Sequence, residues 1–161
     1  MRNHLPPSSS PLLSAYIAVG SNLGDRSENI SFGISKLAKL GNITQSPLTL
    51  ETESVTGVGP PYLNTVVKLD TNIPNPPALL EECLRIELAC GRNRDLPSNS
   101  PRTLDLDLIM ADGWQGVWEW DTPNDLLALG PKLNLILPHP RAMYRDFVMK
   151  PLKAISEASG E

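Results

Sequence analysis

The chain has 161 residues and a formal net charge of −4. This length suits one domain with a proper hydrophobic core, and the negative charge argues against a general nucleic-acid or membrane-surface binder. No apolar run approaches the roughly 20 residues that cross a membrane. Residues 1–13 lack the continuous apolar segment of a secretory signal, so we expect a disordered lead there and a single domain over residues 14–161.

The two cysteines point to a reducing compartment. Cys83 and Cys90 fall within one helical pattern and have no His or Cys neighbours at metal-binding spacing. We interpret both as reduced packing residues, because free cysteines are commonly buried and cytosolic thiols stay reduced. The sequence therefore predicts a cytoplasmic protein.

A strand and a turn open the domain. Residues 14–20 predict a strand, with Ala15, Ile17 and Val19 on one face. Gly20-Ser-Asn-Leu-Gly24 then predicts a tight turn, because Gly and Asn tolerate positive φ. The turn lacks the Lys-Ser/Thr ending of a phosphate-binding P-loop, so we interpret it as structural, with a backbone that borders the site.

A helix and two strands follow. Apolar residues at helical spacing predict a helix over residues 26–40, with Gly41 as its C-cap. Residues 42–51 and 62–70 predict strands. Residues 52–61, between those strands, are rich in Gly and Pro and predict a loop long enough to act as a lid.

A second helix begins at a clear capping signal. Asn75 followed by Pro76 predicts its start, with Asn as the N-cap and Pro at the first helical position. Gly91 ends it. The predicted inward stripe of this helix consists of Leu80, Cys83, Leu84, Glu87 and Leu88.

Apolar and acidic residues alternate between positions 104 and 110. Residues two apart in a strand lie on the same face, so Asp105 and Asp107 should project together. The residues predicted to point into the core are Leu104, Leu106, Leu108 and Met110.

Paired carboxylates with nearby arginines suggest phosphate chemistry. Two close carboxylates repel each other unless a cation lies between them, and Mg²⁺ usually reaches proteins through one or two carboxylates plus substrate phosphates. Arg92, Arg94 and Arg102, just upstream, suit phosphate oxygens. The alternative is an edge strand with solvated acids and surface ion pairs.

The remaining elements complete a recognisable order. Residues 114–131 contain the three Trp of the chain but little periodicity, and they predict a hairpin or insertion packed against the flank of the domain. Residues 133–137 predict a short strand and residues 141–156 short helices. The order strand, helix, strand, strand, helix, strand predicts an α+β ferredoxin-like sandwich, a mostly antiparallel sheet with helices packed on it.

Several motifs stand in order around the acidic strand, from about Tyr16 to Ile155. They are Tyr16-Ile-Ala-Val-Gly-Ser-Asn-Leu-Gly24, Tyr62-Leu-Asn64, Gly91-Arg-Asn-Arg94, Arg102-Thr-Leu-Asp-Leu-Asp107, Pro138-His139 and Arg145-Asp-Phe147. With these motifs the chain resembles the 6-hydroxymethyl-7,8-dihydropterin pyrophosphokinases, a family of folate biosynthesis that has the predicted fold.

The resemblance implies a reaction and a set of residues. The β,γ-diphosphate of ATP, the co-substrate, would move to the hydroxymethyl oxygen of the pterin and leave AMP, in a cytoplasmic monomer whose partners are these small molecules. Asp105 and Asp107 would bind two Mg²⁺ ions, with Arg92, Arg94 and Arg102 as further catalytic residues. The implied ATP-binding residues are Glu87, Arg94, Leu108, His139 and Arg145. The implied pterin-binding residues are Thr52, Val55, Tyr62, Asn64, Asp105 and Phe147.

Some of these assignments have alternatives. Asn64 can both donate and accept, as an amide-like ring edge requires, whereas Phe147 could equally be a core aromatic residue and Glu87 an interior ion-pair partner. Asn99 and Ser100 stand where the family typically has Trp-Gly. Two other functions stay open, namely a different Asp-x-Asp nucleotidyltransferase that releases pyrophosphate and a non-catalytic homologue that binds pterin and ATP.

The missing tryptophan generates a prediction. Stacking an aromatic side chain on a base contributes roughly 1–3 kcal/mol, and Asn99 cannot stack in this way. Asn99→Trp should tighten pterin binding on the order of 5- to 150-fold in the presence of a non-hydrolysable ATP analogue, with ATP affinity little altered. Titration calorimetry measures both affinities, and equal or weaker pterin binding by the variant would contradict the prediction.

Overall fold

The computed structural model describes residues 10–53, 57, 59–91 and 103–158. Most of the predicted lead, residues 1–9, lies outside the described residues, and Leu13 already begins the first strand. The strands are β1 (Leu13–Ser21), β2 (Gly41–Gln45), β3 (Leu50–Thr52), β4 (Tyr62–Thr71), β5 (Asp105–Ala111), β6 (Gly116–Asp121) and β7 (Lys132–Leu137). The helices are α1 (Arg26–Leu37), α2 (Pro76–Ala89) and α3 (Asp146–Ala158), with 3-10 turns at Asn124–Leu129 and Ala142–Tyr144.

β1 lies at the centre of an antiparallel sheet whose strand order is β2-β4-β1-β5. It pairs with β4 on one side and β5 on the other, and β3 extends the sheet beside β4. Helices α1 and α2 pack on one face of this sheet. The predicted α+β ferredoxin-like sandwich is therefore confirmed.

The predicted strand over residues 42–51 is instead divided into β2 and β3. The Ser46 backbone N–H still donates to the Val66 carbonyl oxygen at 2.9 Å. The Ser46 hydroxyl, however, accepts from the Leu48 N–H at 3.1 Å, and this local turn takes the chain away from β4. Serine side chains compete with a sheet for backbone donors in this way.

The core between the sheet and α1–α2 follows the predicted alternation. Ala15, Ile17 and Val19 are fully buried on this face of β1. Helix α2 begins as predicted, because the Asn75 side chain accepts from the Ala78 N–H at 2.9 Å and so satisfies one of the unpaired donors of the first turn.

The buried stripe of α2 differs from the predicted one. Leu84 and Leu88 are only partly buried, since this apolar-rich helix offers two overlapping stripes that share Cys83 and Glu87. Contact with the sheet selects the stripe that contains Leu79 and Ile86. The buried residues of α2 are Pro76, Leu79, Cys83, Ile86 and Glu87.

Gly41 has a different role from the predicted C-cap. Helix α1 ends at Leu37, and Gly41 lies within β2. A Cβ at this position would collide with the Asp70 carbonyl oxygen of β4. The glycine is therefore needed for the close approach of two strands.

A β-bulge in β5 makes the prediction for Met110 wrong. Tyr16 pairs with Met110 but Ile17 pairs with Leu108, so Ile109 is an extra residue in β5. A bulge of this kind shifts the alternation of side chains. Met110 consequently packs on the opposite face of the sheet from the α1–α2 core.

Helix α3 packs on that opposite face. It is a 13-residue helix with Pro151 inside it. The helices predicted over residues 141–156 are therefore one short 3-10 turn, Ala142–Tyr144, and one longer α-helix. The buried cluster on this face consists of Val66, Ile109 and Ala142 together with Val148 and Ile155 of α3 itself. No helix in the described ranges is long and apolar enough to cross a membrane.

The segment 114–131 contains β6, which pairs with β7 in an antiparallel hairpin on the flank of the domain; β7 is the short strand predicted over residues 133–137. The three tryptophans of this segment pack against the α1–α2 core. The Trp120 indole donates to Glu81 of α2 at 2.8 Å, and Arg85 of α2 forms an ion pair with Asp125 at 2.7 Å. The hairpin is thereby attached to α2.

Both cysteines are free thiols. Cys83 is completely buried in the α1–α2 core and Cys90 is partly buried. Burial raises the pKa of the Cys83 thiol, so it stays protonated and unreactive. Cys83 is therefore a packing residue, as predicted.

Glu87 is a buried carboxylate that reaches the outer edge of the sheet. Only 1% of it is exposed, and its Oε2 accepts the Leu106 backbone N–H at 2.7 Å. Leu106 lies between the two aspartates of β5. The Glu87 side chain thus accepts the Leu106 N–H of the edge strand, a donor that would otherwise lack this acceptor.

Glu87→Ala should lower the free energy of unfolding by about 1–3 kcal/mol, because it leaves the Leu106 N–H without that acceptor. Glu87→Gln retains a side-chain oxygen and should lose less. Urea unfolding measures both variants, with Glu157→Ala, an exposed glutamate of α3, as control. A Glu87→Ala variant as stable as the parent would contradict this role.

Candidate active site

The two aspartates of β5 project together, as the alternation predicts. Asp105 and Asp107 are partly buried, whereas Leu104, Leu106 and Leu108 are buried in the α1–α2 core. The carboxylates therefore lie on the face of the sheet that α3 covers only in part.

A row of paired residues crosses this face of the sheet. Gly20 of β1 is opposite Asn64 of β4 and Asp105 of β5. In the next row on the same face, Ala18 is opposite Asp107. The two small residues of β1 leave space beside both carboxylates, because glycine and alanine project little or nothing from the sheet.

The orientation of the Asn64 amide follows from its neighbours. Its Nδ2 donates to the Thr52 hydroxyl at 3.0 Å and to the Leu50 carbonyl oxygen at 3.4 Å. A carbonyl oxygen can only accept, so the NH₂ group must be directed to β3 and the amide oxygen away from it. That oxygen borders the open position above Gly20, 3.2 Å from where a Cβ would stand.

Two aromatic residues border the same region in different ways. Tyr62 Cδ1 lies 3.5 Å from the position of a Cβ on Gly20, so its ring borders the open row. Phe147, in the first turn of α3, packs against the cluster beneath that helix. The Arg145 guanidinium lies 5.7 Å from the centre of the Phe147 ring, within the range of a cation–π interaction.

His139 is attached to the outer edge of β5. Its backbone N–H donates to the Ile109 carbonyl oxygen at 2.7 Å. Burial, reinforced by the positive charges of Arg145 and Arg141, lowers the pKa of His139, and the nearby Asp105 carboxylate opposes that shift. These charges place the histidine and both arginines in the electrostatic neighbourhood of the acidic strand.

The protonation of His139 can be assigned from its hydrogen bond. Its Nδ1 accepts the Arg141 backbone N–H at 3.2 Å. A neutral imidazole that accepts at Nδ1 has its proton at Nε2. Because the pKa is lowered, His139 is a neutral side chain near pH 7 that offers one N–H donor, suited to an oxygen of a ligand.

Two residues expected at the nucleotide lie on the other face of the sheet. The Glu87 carboxylate is buried beneath β5, and the Leu108 side chain belongs to the α1–α2 core. Any contact of Leu108 with a ligand would therefore use its backbone.

Several predicted site residues lie outside the described residues. They are Val55, Arg92, Arg94, Asn99, Ser100 and Arg102. Among the residues that are described, no group of three or more His, Cys, Asp or Glu side chains could bind a metal ion. Two carboxylates on one face, next to small residues of β1, nevertheless fit Mg²⁺ that takes its remaining ligands from water and phosphate.

Sequence reasoning missed two features of this region. The sequence predicts Gly20 as the end of the first strand and the start of the turn but does not predict the open row that Gly20 creates inside β1. An isolated glycine in a strand pattern is the signal for such a close approach. Arg141, which bonds to His139 through its backbone, had no signal beyond its charge. The turn itself is confirmed at Gly24, where φ is 72°.

The fold and these residues define a class of protein, a ferredoxin-like α+β domain with two carboxylates and basic side chains suited to metal-assisted phosphate chemistry. The family model for 7,8-dihydro-6-hydroxymethylpterin-pyrophosphokinase (HPPK) matches residues 16–157. The chain belongs to this family of enzymes.

Curated relatives agree with that assignment. The 2-amino-4-hydroxy-6-hydroxymethyldihydropteridine pyrophosphokinase of Bacillus subtilis is 33% identical over 146 residues, which cover 89% of this chain and 78% of the relative. The enzyme of the same name from Synechocystis is 34% identical and the match covers 88% of this chain and 66% of the relative. The folic acid synthesis protein fol1 of Schizosaccharomyces pombe is also 34% identical, but this chain spans only 18% of its length.

If the open row binds the pterin, Gly20→Ala should weaken that binding by on the order of tenfold or more, because crowding of this kind costs about 1–3 kcal/mol. The new methyl group would stand 3.2 Å from the Asn64 amide oxygen. ATP affinity should stay unchanged. Gly33→Ala is the matched control, since its Cβ would crowd Leu104 at 3.0 Å on the opposite face. Equal effects of the two variants on pterin affinity, measured by calorimetry, would show that Gly20 has no specific role.

Proposed function

We propose that this chain transfers the β,γ-diphosphate of ATP to the hydroxymethyl group of 6-hydroxymethyl-7,8-dihydropterin and releases AMP. The observation that carries this proposal is the row Asn64–Gly20–Asp105, in which an amide and a carboxylate face each other across an open position. Membership of the family and the names of the curated relatives support the substrates.

The row has the dimensions of a flat two-ring substrate. Neighbouring strands are about 4.8 Å apart, so Asn64 and Asp105 are separated by about 10 Å across β1. The pterin would lie over Gly20, with its amide-like edge at Asn64 and its hydroxymethyl group directed to Asp105. The Asn64 oxygen would accept from an N–H of the ring, because its NH₂ group is already directed to Thr52 and Leu50.

Asp105 and Asp107 would bind two Mg²⁺ ions together with the phosphates of ATP. Bound there, the metal would neutralise charge on the phosphate oxygens and lower the barrier to attack. Neither aspartate needs to act as a strong base, since phosphoryl-type transfer depends mainly on positioning and charge neutralisation.

The basic side chains near β5 would bind the triphosphate. Arg145 can pair with phosphate oxygens, and the neutral His139 can donate from Nε2. Arg92, Arg94 and Arg102 are proposed to complete this phosphate-binding set. The pterin oxygen would then attack the β-phosphorus in line with the departing AMP.

We also propose that the protein acts as a monomer, as the resemblance to the family implies. Its free cysteines are compatible with the cytoplasmic location expected from the sequence. Sedimentation equilibrium at micromolar concentration would measure the oligomeric state directly.

The decisive experiment incubates the protein with Mg²⁺, ATP and 6-hydroxymethyl-7,8-dihydropterin and separates the nucleotide products. AMP that appears only when the pterin is present is the expected result. Release of pyrophosphate would instead identify a nucleotidyltransferase. Binding of both substrates without AMP would identify a non-catalytic homologue.

Asp105→Asn and Asp107→Asn should each reduce kcat/KM on the order of 10²-fold or more, as removal of one electrostatic stabiliser typically does, while the melting temperature stays near that of the parent. Asp112→Asn is the control, because this exposed aspartate follows β5 in a turn. Near-parental rates for the β5 variants at saturating Mg²⁺ would refute their assignment as metal ligands.

A further inference from the structure

Helix α1 begins with a residue that its own electrostatics disfavour. Arg26 is the first residue of α1, directly after the N-cap Asp25. A cation at a helix N-terminus opposes the helix dipole. Arg26 therefore does not serve the stability of its own helix, and its partners lie elsewhere.

Those partners are the two ends of the connection between β3 and β4. Arg26 Nη2 lies 2.7 Å from the Glu51 carboxylate in β3. Its Nη1 donates to the Pro61 carbonyl oxygen, just before β4, at 2.9 Å. One guanidinium thus connects both stems of this loop, which suits its fork of fixed donors.

The loop between β1 and α1 provides a second connection. Asn22 is 2% exposed, and its Nδ2 donates to the Pro60 carbonyl oxygen at 3.2 Å. Asn22 and Arg26 together attach Pro60 and Pro61, the two residues before β4, to the β1–α1 loop and the start of α1.

The connected stems contain the residues that orient the Asn64 amide. Thr52 follows Glu51 directly and pairs with Tyr62, which follows Pro61 directly. Thr52 also accepts from Asn64. β3 is only three residues long, so few backbone hydrogen bonds maintain its register, and a small displacement of β3 would turn the Asn64 oxygen away from Gly20.

We propose that Arg26 is a positioning residue for the pterin half of the site, which acts by keeping β3 and the start of β4 in register. This inference rests on the proposed function, because it assumes that Asn64 binds the pterin. Arg26 itself touches neither substrate. Its effect on the reaction passes through Glu51, Pro61 and the Thr52–Asn64 hydrogen bond.

This role has a distinct signature. The side chains of Arg26 and Glu51 are 30% and 56% exposed, and an ion pair so accessible to water contributes little to global stability. Substitution should therefore change substrate binding more than melting temperature. Only the pterin should be affected, because the phosphate-binding side chains near β5 are attached to other elements.

The test compares Arg26→Ala, Arg26→Lys and Glu51→Gln with the parent and with Lys36→Ala, a control in the last turn of the same helix. Arg26→Ala should raise KM and Kd for the pterin on the order of tenfold, as expected for the loss of a charge-assisted hydrogen bond. ATP affinity, kcat at saturation and melting temperature should stay near parental values. Arg26→Lys should be intermediate, since an ammonium group cannot reach both partners in the same geometry.

Hydrogen exchange provides a readout that does not depend on turnover. The amides of β3 should exchange faster in Arg26→Ala than in the parent or in Lys36→Ala. Unchanged pterin affinity in Arg26→Ala would overturn this proposal and leave the proposed function intact. The parent protein could bind the pterin and form no AMP, while Arg26→Ala binds the pterin more weakly. That pair of results would contradict the proposed transfer activity and support the role of Arg26. Equal losses of affinity for ATP and for the pterin in Arg26→Ala would also overturn the proposed role of Arg26.

Discussion

The pairing register of β1 with its two neighbours is the constraint on which the candidate site depends. β1 has Gly20 and Ala18 on the face that carries the carboxylates, and the register sets these small residues opposite Asn64, Asp105 and Asp107. A slip of one residue would exchange the two faces of the strand and move Ile17 or Val19 into the open row. Burial of those apolar residues beneath α1 and α2 therefore stabilises the fold and the open row together.

The parts of the fold that sequence predicted are those set by local patterns. The alternation around Asp105 and Asp107 and the cap at Asn75 needed no knowledge of distant residues. The bulge at Ile109 and the steric need for Gly41 could not be predicted, because each arises where two strands distant in sequence approach each other. Local periodicity contains no information about such contacts.

The same distinction applies to the candidate site. Motifs grouped the aspartates with His139 and Arg145, and in the structure the charges of Asp105 and Arg145 both act on His139. They did not indicate which way the Asn64 amide points, since that depends on Leu50 and Thr52 across a strand pair. Nor did they separate the buried Glu87 from the residues of the open face, because helical spacing alone does not show how deep a side chain lies.

The outer edge of β5 has a further consequence. Unpaired backbone groups at a sheet margin are a template for strands of other molecules, and proteins protect such margins against aggregation. Here the Glu87 carboxylate accepts the N–H of Leu106, and the His139 backbone N–H donates to the carbonyl oxygen of Ile109. The acidic strand is therefore closed to strand addition at both points, so this edge of the sheet can lie beside the open row without inviting self-association.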